Sequence, residues 1–134
     1  MKKILAWGGI ALLFTAGLSL LGQEGRPYSQ IMKEVAGASG QVKKALDAQT
    51  SKQDVADGGA KLVVLFKEVE EFWTKRGGAP DAIELAKNAQ AAAKELANPA
   101  SIPAAQAALA KLNDTCKGCH AAHREKTEGG FKIK

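Results

Sequence analysis

GGAPDAIELAKNAQAAAKELANP, residues 77–99, reads as one helix with both of its ends marked. Gly77-Gly78 caps whatever helix comes before it. Pro80-Asp81 starts the new one, because proline is tolerated in a first turn and an acid suits the positive helix pole. Ala82 or Ile83, then Ala86, Ala89, Ala93 and Leu96, recur at three- and four-residue steps, and Asn98-Pro99 stops the run. The inward stripe is almost entirely alanine. Such side chains bury little apolar area, so short inter-helix distances or a large apolar guest must complete the core.

Working outward, the same spacing returns three more times. Before residue 77, Val55, Leu62, Phe66, Val69 and Phe72 or Trp73 form a stripe. Ser51 stands three residues before Asp54, a variant of the capping box, and Lys75-Arg76 suit the negative pole at the far end. Gly58 and Gly59 should weaken the first turns of this helix by about 1 kcal/mol each relative to alanine. Earlier still, Tyr28, Ile31 or Met32, Val35, Ala38, Val42 and Leu46 predict a helix running to about Gln49. After residue 99, a helix starts near Ser101-Ile102-Pro103 and carries Ala105, Leu109, Leu112, Cys116 and Cys119 on related faces. No stretch alternates with period two for long enough to suggest a sheet. Short connections between helices of similar length favour antiparallel neighbours, so the expected fold is all-α, an up-down-up-down four-helix bundle.

The chain has 134 residues, 46% hydrophobic and 25% charged, ordinary values for one soluble domain. Its start looks different. Lys2 and Lys3 precede an uncharged apolar run from Ile4 to Leu21, near the short limit for spanning a bilayer. Residues 1–22 are read as an export signal, or as a retained N-terminal anchor in the membrane. Residues 23–134 then form the bundle domain in the periplasm. Removing Lys2 and Lys3 lowers the formal net charge from +5 to +3. No basic run is interleaved with aromatics, so nucleic acid is not an expected partner.

The stretch TCKGCHAAHREK, residues 115–126, holds both cysteines and both histidines. Four chemistries compete for it. A disulfide is usual for exported cysteines, but across three residues of regular helix its geometry is strained, and His120 stays unexplained. A thioredoxin-like pair needs a preceding strand. Structural zinc could use Cys116, Cys119, His120 and His123, but such sites normally draw ligands from two separated segments. C-x-x-C-H is also the attachment signature for covalent haem: each thiol adds to a vinyl group, and the adjacent histidine binds iron. An export segment agrees with that chemistry, and haem would be the large apolar guest.

A C-x-x-C-H motif in the last helix of a bundle resembles the cytochrome c′ family and its low-spin relatives. Their closing motif, C-K-x-C-H-x-x-aromatic-R, compares with Cys116, Lys117, Gly118, Cys119, His120, Ala121, Ala122, His123 and Arg124. His123 departs from the usual aromatic, and the tail from Glu125 to Lys134 is longer than most members carry. The resemblance implies one haem c, with Cys116 and Cys119 as thioether anchors and His120 as the proximal iron ligand. It places Arg124 near the haem edge; a solvated charge at the helix C-terminus is the alternative.

Members divide at the distal face. A methionine on the first helix gives low-spin iron for electron transfer, whereas an apolar residue leaves five-coordinate iron that binds gases. Met32 is the methionine of the exported part and lies where the family places that residue, although it could instead fill the core, and Ile31 fits the same stripe. His123 follows His120 on one helix and cannot reach the opposite face of the same iron. Lys33 and Tyr28 are remote candidates for that ligand. The resemblance therefore implies a periplasmic carrier of single electrons between redox partner proteins. The alternative is a haem protein that binds nitric oxide or carbon monoxide. An enzyme is not expected, since no acid–base constellation accompanies the motif. Family members often dimerise through their first two helices.

Overall fold

A computed structural model describes residues 25–49 and 51–134, so the expected export segment lies outside the described residues. Four helices follow one another: α1 (Tyr28–Asp47), α2 (Lys52–Arg76), α3 (Pro80–Ala97) and α4 (Ile102–His123). The end signals act as read. Ser51 and Ser101 are the N-caps of α2 and α4, their hydroxyls accepting from the backbone N–H of Asp54 and Ala104. Pro80 opens α3, and Gly77, at φ 72°, closes α2 by donating its N–H to the Trp73 carbonyl. α1 stops at Asp47, two residues short of the expected Gln49, which instead takes a left-handed φ of 48°.

Contacts between opposite ends show that neighbours run antiparallel. The Trp73 indole N–H near the end of α2 donates to the Tyr28 hydroxyl at the start of α1. Lys111 midway along α4 pairs with Glu95 late in α3, while His123 at the end of α4 meets Asp81 at the start of α3. Ahead of α1, Arg26 ties the first two helices together through Glu34 (2.5 Å) and Glu68 (2.8 Å).

The core joins Ile31, Val35, Val42 and Leu46 of α1 to Val55, Leu62, Phe66, Val69 and Trp73 of α2, against the alanine stripe of α3. Small side chains let the helices approach closely. A Cβ added at Gly59 would lie 2.3 Å from the Ala97 backbone nitrogen, and one at Gly58 would lie 2.5 Å from Val42 Cγ2. These glycines are therefore contact points, beyond their cost to helix propensity. Among the described residues no helix is long and apolar enough to cross a membrane.

The absence of strands, expected from the lack of period-two patterning, is corrected at the C-terminus. Strand β1 (Arg124–Thr127) begins directly where α4 ends and pairs antiparallel with β2 (Gly130–Ile133). Glu128-Gly129 turn the chain between them, and Gly130 enters β2 at φ 133°, a conformation that favours glycine. Lys134 fastens the hairpin back onto α4 by donating its backbone N–H to the His123 carbonyl and its Nζ to that of Ala121.

Candidate functional site

All four helices and the hairpin contribute to the wall of one cavity of about 890 Å³, within the roughly 300–1,000 Å³ usual for ligand sites. From α4 come Cys116, Cys119, His120 and His123; from α1 come Met32 and Tyr28. Phe66, Val69 and Trp73 of α2 and Leu85, Ala86 and Ala89 of α3 make much of the rest apolar. The charged members of the wall are Lys33, Arg124 and Lys132, and among the described residues no carboxylate lines it.

Residues left paired by the sequence separate here. Ile31 is 3% exposed and belongs to the core, whereas its neighbour Met32 is half-buried and faces the cavity. They stand about 100° apart on the helix, enough to send one inward and the other onto the cavity wall. Trp73 likewise takes the core position, with Phe72 half-buried beside it.

Cys116 and Cys119 are free, half-buried thiols on one face of α4. Burial raises both thiol pKa values, helped by mutual repulsion at Cys116 and by Asp81 at Cys119. They therefore remain protonated at neutral pH, poor nucleophiles by themselves. His120 moves the other way: burial, and then the charge of Arg124, push its imidazole below the ordinary histidine range. A neutral imidazole keeps a nitrogen lone pair free for a metal. Among the described residues no group of three or more His, Cys, Asp or Glu side chains is arranged to hold a metal ion. The zinc arrangement of Cys116, Cys119, His120 and His123 is thus not formed.

Several partners had no sequence reading. Tyr28 stacks on Phe72 with ring centroids 4.2 Å apart, and its hydroxyl accepts the Trp73 N–H at 3.1 Å. Burial pushes the Tyr28 phenol up to about 12, so it stays protonated and engaged with Trp73. His123 packs on the Trp73 ring at 4.9 Å, and its Nε2 lies 2.6 Å from Asp81 Oδ2. That hydrogen bond holds the Asp81 carboxyl below its usual range. Asp81 read only as an acid suited to a helix start; its pairing with a residue 42 positions away has no local signal. Arg124 lies over the Phe131 ring, 3.9 Å from its centroid, an arrangement worth about 0.5–1 kcal/mol when exposed.

Comparison with known protein families, with curated proteins and with solved structures returns no match.

Proposed function

We propose that the cavity holds one covalent haem c and that the chain carries single electrons in the periplasm. The observation behind this reading is that Met32 of α1 and Cys116, Cys119 and His120 of α4 wall the same cavity. The donor set suits the group: Cys116 and Cys119 would hold it through thioethers, and His120 and Met32 would bind its iron. Haem brings its own equatorial nitrogens, so it needs no cluster of protein ligands, and its iron supplies reversible one-electron chemistry. Its carboxylates suit a wall whose charges are Lys33, Arg124 and Lys132.

The chain's own residues have separable tasks. The apolar wall from Phe66, Val69, Leu85 and Ala86 would keep water from the bound group, which would raise its reduction potential. The thioether of Met32 paired with imidazole acts in the same direction. The Tyr28–Trp73 hydrogen bond and the His123–Asp81 pair fix the helix ends that carry these ligands.

The test is the absorption spectrum of the holoprotein with and without Met32→Leu. The wild type should be low-spin in the ferric state, with the weak far-red band of methionine ligation, and should bind carbon monoxide weakly when ferrous. Met32→Leu nearly conserves volume, so packing should cost under about 1.5 kcal/mol, while the spectrum turns high-spin and the potential falls. An unchanged spectrum would make Met32 a wall residue only. A wild type that is already five-coordinate would favour binding of nitric oxide or carbon monoxide over electron transfer.

A further inference from the structure

The strand register assigns the two faces of the C-terminal hairpin. Arg124 opposes Ile133 and Lys126 opposes Phe131, so these four share one face; Glu125 opposes Lys132 on the other. Ile133 packs against the core cluster, which turns the first face toward the bundle. The second face carries an ion pair of 3.2 Å between Lys132 and Glu125, of which only Lys132 borders the cavity. Phe131 is 60% exposed, yet it lies on the inward face and lines the cavity with Ile133 and Arg124. An aromatic ring in the cavity wall offers apolar surface to whatever the cavity binds. The hairpin is also held close: it leaves α4 without a linker, and Lys134 returns two hydrogen bonds to the last turn of the helix.

We infer that this hairpin is a wall of the binding site, with Phe131 and Ile133 as residues that contact the bound group and shield its His120 side from water. The inference rests on the haem reading above. A shielded site favours the reduced state, whose iron carries less charge, because solvent exposure is one of the levers on haem potential. Arg124 lies over the Phe131 ring beside it in the cavity wall.

The test uses holoprotein matured with a haem-attachment system and compares three chains by potentiometric titration and helical circular dichroism. Phe131→Ala/Ile133→Ala opens the inward face, Phe131→Leu keeps an apolar side chain there, and Glu128→Gln alters only the exposed turn, off the cavity wall. The double variant should lose at least roughly threefold in the reduced-to-oxidised ratio at fixed ambient potential, with helicity unchanged. Phe131→Leu should retain most of the wild-type ratio, and Glu128→Gln should match it to within the electrostatic effect of one exposed charge. Should the double variant keep the wild-type potential while the wild type carries covalent haem, the hairpin inference alone is overturned. A wild type without covalent haem overturns both readings.

Discussion

Replacing Gly59 by alanine sets two known effects against each other. Gly59 sits in the second turn of α2, where alanine should stabilise the helix by about 1 kcal/mol on propensity. The added Cβ, however, would lie 2.3 Å from the Ala97 nitrogen, 2.4 Å from the Leu96 carbonyl carbon and 2.8 Å from Ala97 Cα. These are backbone atoms of α3, so no rotamer change relieves them. Ordinary carbon contacts begin near 3.5 Å, which requires α2 and α3 to part by about 1 Å. Leu62 and Leu96, both 0% exposed, would then lose contacts close by. Overpacking typically costs about 1–3 kcal/mol, with rigid backbone at the upper end. Net of propensity, Gly59→Ala should destabilise by about 2 kcal/mol and lower Tm by about 8 °C at this size. Gly37 and Gly40 supply the control: they are exposed in α1, and a Cβ there meets nothing within 4 Å. Alanine at either should raise stability, by up to about 1 kcal/mol. Thermal unfolding followed by helical circular dichroism reads all three in one haem state. A Gly59→Ala chain at least as stable as wild type would refute the close approach of α2 and α3.

Tyr28 is the single tyrosine, so tyrosinate absorbance reports it alone. Its transition should lie near 12 instead of the usual 10. A phenol pKa raised on folding gives stability that is whole below pH 10 and fades as the pH rises toward 12; a transition near 10 would show Tyr28 solvated. Arg26→Ala removes two ion pairs whose side chains are about one-third exposed; solvent screening should leave the midpoint of a urea titration nearly unchanged, and a clear fall would mean that Arg26 anchors more than those contacts.

Both ends of α2 and the starts of α3 and α4 were legible because each rests on a local interaction: a serine hydroxyl three residues from its N–H, a proline at a first turn, a glycine with positive φ. The alanine stripe of α3 was legible for the same reason, since periodicity alone settles which side turns inward. Choices between adjacent residues were not. Ile31 and Met32 both fit the stripe, and only the position of α4 relative to α1 separates core from cavity wall. Gly58 and Gly59 read as weak points because the backbone they touch, or the valine they meet, belongs to other helices. The hairpin escaped for a different reason. Its strands have four residues each, too few for a period-two pattern, and its inward face mixes Arg124 and Lys126 with Phe131 and Ile133. The signal that would have found it is Glu128-Gly129-Gly130 between Thr127 and Phe131, where Glu128-Gly129 form a two-residue turn and Gly130 starts β2. Of the candidate site, the motif from Cys116 to His120 was plain in the sequence, whereas the Tyr28–Trp73 and His123–Asp81 links depend on tertiary packing.

The central claim is covalent haem on Cys116 and Cys119, and intact mass of the exported, matured chain tests it most directly. After acid-acetone extraction and thiol alkylation, the account predicts the mass of the chain plus one haem, with neither cysteine alkylated. Alanine at either cysteine should leave at most one thioether. A chain at its bare mass with both cysteines alkylated would contradict the account.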